Sequence, residues 1–241
     1  MTIARRKILG LFAAGGAAST LAACGGGGDV YVDGGYVPPP PPPARSMWLL
    51  NLNPEFASSD VSFGAANVSS ALQFPGITTP FVAEYGSYTL SIRKSNGMSQ
   101  DFPGVGVDAN SPSMFVFYRR FASTRLGSSP LVPGITNYFD STVPLDVDLF
   151  DDAGGVQLID ALAFEGSARQ TSPLTRNCTL RLYAAGSSVL VYDSGLQART
   201  DSILIFPRFP ASSSRSGEVA VVGLNYNVNS ANAVIWTNIL G

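Results

Sequence analysis

The stretch CTLRLY, residues 178–183, alternates small or aliphatic side chains with polar or amphipathic ones. Successive side chains of a β-strand point to opposite faces, so this period of two predicts a strand with one buried and one solvated face. Residues 87–93 have the same alternation. The clusters at residues 94–97 (KSNG) and 185–188 (AGSS) contain turn-forming residues, and they predict a turn after each strand.

The composition extends this interpretation to most of the chain. Charged residues make up 13% of the 241 residues, apolar residues make up 45%, and turn-forming residues recur at short intervals. This profile is typical of an all-β protein with many short strands. Such strands bury their apolar faces in pairs, which predicts β-sandwich domains of the immunoglobulin-like class.

Internal matches indicate that the strands belong to two copies of one unit. Residues 71–76 match residues 161–166, and Thr89-Leu90 matches Thr179-Leu180, each at a separation of 90. Residues 113–119 match residues 202–208 at a separation of 89. We therefore expect two tandem sandwich units, residues 47–130 and residues 131–241, with a seam rich in Gly, Pro and Ser between them.

The first 23 residues are typical of an export signal, with Arg5-Arg6-Lys7 before a moderately apolar stretch. Leu21-Ala22-Ala23-Cys24 resembles the bacterial lipobox, in which the chain is cut before the cysteine and the cysteine is acylated. The resemblance implies a lipoprotein signal peptide at residues 1–23 and lipidation at Cys24. The alternative is an ordinary signal peptide with an incidental cysteine.

Two further features of the leader concern its route and destination. Gly25 stands where an aspartate tends to retain such lipoproteins in the inner membrane, so the resemblance implies an exported protein anchored in the outer membrane. The paired arginines also resemble a twin-arginine export signal; the alternative is a general-secretion leader.

Residues 24–46 are expected to form a disordered tether that is rich in Gly and Pro. Four glycines follow Cys24, and residues 38–43 are six consecutive prolines. Such a run adopts a polyproline II helix of about 3.1 Å per residue, which makes a semi-rigid spacer of roughly 19 Å. A ligand for proline-reading domains is the less favoured interpretation.

A family resemblance adds to this picture. Residues 179–187 and 191–195 resemble the core of the domain of unknown function 4397 family, and the first copy matches it more loosely. The resemblance extends from Trp48 to the end of the chain. It implies exported tandem β-sandwich domains on a bacterial envelope, and it implies no activity or catalytic residue.

The sequence offers little support for catalysis, and we predict no enzyme, no cofactor and no metal. The chain has no histidine, which removes most catalytic constellations and the commonest metal ligand. Asp146, Asp148, Asp151 and Asp152 form the densest acidic group, and a hairpin turn is favoured there over a calcium site. Cys178 is expected to be a buried, unreactive thiol.

The charge balance argues against nucleic acid as a partner. After the three basic residues of the leader, 12 basic residues face 17 acidic ones, a formal charge of −5. Such a chain lacks the basic surface that nucleic acids require.

The remaining function classes are interaction and binding. We expect a structural or adhesive role at the envelope, with an envelope protein as a candidate partner. The alternative is a glycan- or small-ligand-binding module that uses Trp48, Tyr118 and Trp236 as contacts. The stretch MFVFYRRF, residues 114–121, is apolar on both strand faces. It predicts either a strand between the core and the neighbouring unit, or an exposed aromatic patch.

Overall fold

The computed structural model describes residues 42–121, 123–128, 134–169, 177–226, 231–236 and 238. The expectations for the signal peptide, for Cys24 and for most of the tether concern residues outside this part of the chain. The expected boundary between residues 130 and 131 lies outside it as well.

The described residues form 18 β-strands and one 3₁₀ helix, Pro54–Phe56. The first unit contains β1 (Ala44–Leu52), β2 (Ser58–Phe63), β3 (Ala66–Gln73), β4 (Gly76–Ile77), β5 (Phe81–Glu84), β6 (Gly86–Lys94), β7 (Ser99–Val107), β8 (Met114–Arg120) and β9 (Ser123–Gly127). The second contains β10 (Gly134–Asn137), β11 (Leu145–Asp151), β12 (Val156–Leu162), β13 (Ser167–Arg169), β14 (Cys178–Ala184), β15 (Leu190–Gln197), β16 (Ser202–Pro207), β17 (Val219–Tyr226) and β18 (Ala231–Trp236). The all-β fold expected from the sequence is confirmed.

Each unit is a sandwich of two sheets. In the first unit the outer sheet has the order β3-β2-β6-β7, and the inner sheet has the order β4-β1-β8-β9, with β5 also paired to β1. In the second unit the outer sheet is β12-β11-β14-β15, and the inner sheet is β13-β10-β16-β17-β18. Within the described residues the two units repeat one topology, except that β5 has no counterpart in the second unit and β18 has none in the first.

The first strand begins earlier than the expected end of the tether at residue 46. Residues 44–47 of β1 pair with β5, and the Arg45 side chain donates to the carbonyl oxygen of Ala109 at 2.7 Å and to Ser113 Oγ at 3.0 Å. These contacts place residues 44–46 in the folded unit.

Each sandwich has its own apolar core. Leu90, Ile92 and Phe117 are among the residues buried between the two sheets of the first unit, and Leu180, Leu182 and Ile205 occupy the same place in the second. Cys178 lies in the second core as a free, fully buried thiol, as the alternation of its strand predicts. Burial of the thiol, together with nearby Asp151 and Asp152, raises its pKa to about 11.

A third apolar layer joins the two inner sheets. It includes Trp48, Leu50 and Val116 of the first unit and Leu204 and Val222 of the second. Alternate residues of β1 therefore enter two different cores, since Met47 and Leu49 face the first unit's own core. The four sheets form one stack, and the strand at residues 114–120 is buried on both faces.

In the central strands, the structure aligns the two copies differently from the match found in the sequence. Asn51 pairs with Phe117 in the first unit, and its counterpart Asn137 pairs with Ile205 in the second. In both copies the asparagine side-chain oxygen accepts the backbone N–H two residues later. The separation in this strand is therefore 88, so the expected 89 is wrong by one residue. Phe206 corresponds to Tyr118 rather than to Phe117.

With this alignment, the contacts between the two units are related by an approximate two-fold symmetry. Phe74 of the first unit packs edge-on against Phe206 of the second, with ring centroids 5.7 Å apart. Its counterpart Phe164 packs against Tyr118, the counterpart of Phe206, at 6.3 Å. Each unit thus inserts an equivalent phenylalanine into the other.

Candidate interaction site

The strand directions place one end of the stack far from the start of β1. β1 and β8 are parallel, as are β10 and β16, and contacts between the units bring the carboxyl ends of these strands together. We call this the distal end. β1 has 9 residues, so its two ends are roughly 30 Å apart at about 3.3 Å per residue.

A buried ion pair links the two units at the distal end. Arg119 donates through Nε and Nη2 to the two carboxylate oxygens of Asp140, at 2.9 and 2.8 Å. Arg119 Nη1 also donates to the carbonyl oxygen of Phe209 at 3.1 Å. The two side chains are only 6% and 5% exposed, so each charge depends on its partner for solvation.

A second polar group lies beside this pair. The Tyr118 hydroxyl donates to the Glu165 carboxylate, which also faces Arg120 at 3.5 Å. Burial, followed by the hydrogen bond to Glu165, raises the pKa of Tyr118 well above its usual value. Burial and the same carboxylate raise the pKa of Tyr138 to about 12. Both phenol groups therefore stay neutral, and both side chains pack in the apolar layer between the units.

The distal end carries a groove of about 670 Å³, which we call the distal groove. Its lining includes Phe56, Gln100 and Thr124 of the first unit and Ser212 of the second. Glu55 closes one side, since its carboxylate accepts the backbone N–H of Ala211 at 2.7 Å. The groove thus combines an apolar floor with hydroxyl and amide groups, which is the mixture that ligand-binding clefts use.

Phe121 stands at the rim of the distal groove with 48% of its surface exposed. Its φ angle of +51° lies in the left-handed region, which is unfavourable for a bulky side chain. The ring is held by Phe164 of the second unit, at a centroid distance of 5.8 Å. Met98 is another exposed apolar side chain on the rim. Conformations of this kind concentrate at functional sites.

The three aromatic residues expected as ligand contacts lie elsewhere. Trp48 and Tyr118 are buried in the layer between the units, and Trp236 is buried in the second core, with exposures of 1%, 6% and 2%. None of them offers an open ring face to a ligand. In the stretch at residues 114–121, Phe121 is the residue whose ring is exposed.

Two members of the acidic group at residues 146–152, Asp146 and Asp151, accept hydrogen bonds from the backbone. Asp146 accepts the N–H of Ala161 at 2.8 Å and that of Gly186 at 3.0 Å. Asp151 accepts the N–H groups of Ala153 and Gly155 and thereby closes the hairpin turn. Within the described ranges, no three His, Cys, Asp or Glu side chains are grouped closely enough to hold a metal ion.

Sequence reasoning missed the groove and its ion pair. Arg119 and Phe121 belong to the stretch that the sequence singled out, but Asp140 follows a different strand in the second unit. No short spacing connects Arg119 with Asp140, so their pairing appears only when the two inner sheets pack together.

Comparison of the chain with protein-family models finds no match, and neither does comparison with curated proteins. The resemblance described above therefore stays a prediction. In the part of the chain that the structure describes, no helix has the length and hydrophobicity needed to cross a membrane.

Proposed function

We propose that this protein is an exported bacterial lipoprotein, anchored by Cys24, with a structural or adhesive interaction role and no catalytic activity. The leader and the lipobox resemblance support acylation. Two or more acyl chains hold a protein firmly, at about 0.8 kcal/mol per buried CH₂. The family resemblance and Gly25 support the outer membrane as the site of attachment.

The observation that carries the interaction role is the fusion of two sandwiches into one four-sheet stack. A continuous apolar layer and the buried Arg119–Asp140 pair join the units. The exposed Phe121 and the distal groove lie at the end far from Ala44, where the chain enters the fold. A body joined in this way presents a binding surface at a distance from its point of attachment.

The use of the buried charges supports a role without catalysis. Arg119 and Asp140 hold the joint, and Asp193 pairs with Arg181 at 2.8 Å within the second outer sheet. These groups have structural partners, and the chain has no histidine to act as a general base.

Membrane fractionation tests the anchor. Cys24→Ala should move the full-length protein from the membrane fraction to the soluble fraction of the envelope, because the acylated side chain is lost. Cys178→Ala is the matched control, since it removes the other cysteine of the chain and should leave the protein in the membrane fraction. Retention of the Cys24→Ala protein in the membrane would overturn the proposed lipidation.

Phe121 favours a second candidate function, the binding of a glycan. An exposed aromatic ring beside Ser123, Thr124 and Gln100 offers a stacking face and hydrogen-bonding groups. A glycan array would test it: Phe121→Ala should abolish any signal, and Val189→Ala, at an exposed apolar residue in the loop before β15, should not.

A further inference from the structure

The two inner sheets differ in one strand. β17 is paired with β16 on one side and with β18 on the other. β9 is its counterpart, because Arg125 pairs with Tyr118 as Ala220 pairs with Phe206. Among the described residues, β9 is the last strand of its sheet, so its second edge has no partner. In the part of the chain that the structure describes, the first unit therefore has no counterpart of β18.

In the second unit, β18 closes the open side of the sandwich. Trp236 lies opposite Val221 of β17, and both side chains are buried in the second core. The carbonyl oxygen of Trp236 accepts the hydroxyl of Tyr192, a residue of β15 in the outer sheet, at 2.9 Å. One strand and one large aromatic side chain thus bridge the gap between the two sheets.

The same side of the first unit is incompletely covered. Leu126, the counterpart of Val221, packs against the first core but remains partly exposed, and so do Phe102 and Val105 of β7. The distal groove lies at this opening, between the starts of β7 and β9. Its lining residues Gln100 and Thr124 correspond to Tyr192 and Val219. The Trp236 indole lies against Gly223, two residues nearer the start of β16 than Val221 in the pairing, so its place in the first unit is beside Leu126 and on the side away from the groove.

We propose that the free edge of β9 and the partly exposed apolar surface beside Leu126 together bind an extended peptide segment of a partner protein. The segment pairs antiparallel with β9, as β18 pairs with β17, and packs an aromatic side chain against Leu126, in the place that corresponds to Trp236. This mode of recognition, in which a peptide adds a strand to a sheet edge, takes its affinity from backbone hydrogen bonds and its specificity from side-chain pockets. The inference rests on the proposed interaction role and names its surface and partner.

The charge of β9 specifies the segment further. Arg125 is exposed, and the residue that follows the aromatic one in an antiparallel segment lies opposite it. An opposite charge in a directly facing pair is stabilising, and a like charge is destabilising. The preferred segment therefore has an aromatic residue followed by Asp or Glu. The shortness of β9 and its arginine also discourage pairing with unrelated strands.

Peptides copied from this chain test the proposal. The probe is the sequence of residues 231–238, ANAVIWTN, together with ANAVIWDN, ANAVIWKN and ANAVIADN. The protein is the full chain carrying Cys24→Ala, titrated in a calorimeter. We expect ANAVIWDN to bind best and ANAVIWKN to bind more weakly. Loss of the aromatic anchor in ANAVIADN should weaken binding by about tenfold or more.

Protein variants locate the site. Leu126→Asn removes the apolar surface against which the aromatic side chain packs and should abolish binding of ANAVIWDN, whereas Val189→Ala should leave it unchanged. Arg125→Glu should reverse the preference, so that ANAVIWKN binds better than ANAVIWDN. This exchange keeps the test valid without relying on a loss of binding, because a variant that fails to fold cannot gain affinity for a second peptide.

Three outcomes would overturn the inference. In the first, no peptide binds, or binding is indifferent to Leu126→Asn. In the second, glycans bind at Phe121 while the peptides do not, which would favour the second candidate function. In the third, the protein forms a dimer that Leu126→Asn abolishes, so that a second copy occupies the edge. Membrane release of Cys24→Ala is measured separately, so failure of the anchor and failure of the peptide site are distinguishable.

Discussion

Arg119 of the first unit and Asp140 of the second form a two-hydrogen-bond ion pair that is almost completely buried. The third hydrogen bond of the guanidinium reaches the carbonyl oxygen of Phe209, so that Arg119 is bound to two separate segments of the second unit. The pair ties the end of β8 to the loops that follow β10 and β16.

Removal of one partner should be costly. Arg119→Ala leaves the Asp140 carboxylate buried without its counter-ion, and we expect a loss of about 3–5 kcal/mol in the free energy of unfolding. Urea denaturation measures it. The control is Arg215→Ala, which breaks an exposed pair with Glu218 and should leave the unfolding curve nearly unchanged. A small effect of Arg119→Ala would show that water reaches the site.

The apolar layer between the units should make them unfold together. Phe206 is fully buried there, and Phe206→Ala should lower the free energy of unfolding by about 3–5 kcal/mol through lost burial and a residual cavity. Calorimetry of the full chain should give a single transition, which the variant shifts to a lower temperature. Two separate transitions in the unaltered protein would contradict this coupling. Phe121→Ala, at an exposed ring, is the comparison and should have little effect.

Cys178 should make stability depend on pH in the alkaline range. Its pKa is raised from 9.0 to about 11, so the folded state binds the thiol proton more tightly than the unfolded state does. The resulting stabilisation is complete below pH 9 and is lost as the pH rises from 9 to about 11. Denaturation at pH 8, 9 and 10 should show the decline, and Cys178→Ala should reduce the slope. A thiol reagent should label the native protein slowly and the unfolded protein quickly.

Asp146 should act as a backbone anchor rather than as a calcium ligand. It holds Ala161, which has a φ of +52°, as Asp60 holds its counterpart Ala71 in the first unit. Asp146→Ala should cost about 1–3 kcal/mol, because backbone N–H groups lose their acceptor. Addition of calcium should leave the melting temperature unchanged. A calcium-dependent rise that Asp146→Ala abolishes would indicate a metal site instead.

The strands were predictable because most of them have one buried face. Leu90, Ile92, Leu180 and Leu182 point inward at every second position, and this pattern alone identifies β6 and β14. The strand at residues 114–120 was harder, because it is buried on both faces and its apolar residues do not alternate. Without alternation there is no pattern to fix the register, so the alignment of the repeats slipped by one residue there.

The candidate site could not be predicted from the sequence for a different reason. Among the described residues, β9 has no neighbour like the one that β18 provides to β17, and an open edge leaves no motif in the sequence. The distal groove is lined by segments that are distant along the chain, so no local pattern predicts it. Burial of Trp48 and Trp236 also depends on packing between elements that are distant along the chain. All three aromatic residues that the sequence offered as ligand contacts are buried by the fold.

The parallel pairing of β1 and β8 has a mechanical consequence. Ala44 begins β1 at one end of the stack, and the distal groove lies at the other. A pull between the tether and a partner held on β9 would run along the strands. The pairs from Trp48–Met114 to Leu52–Tyr118 would then be loaded side by side in shear, and not opened one after another like a zipper. This arrangement suits an attachment that must withstand tension.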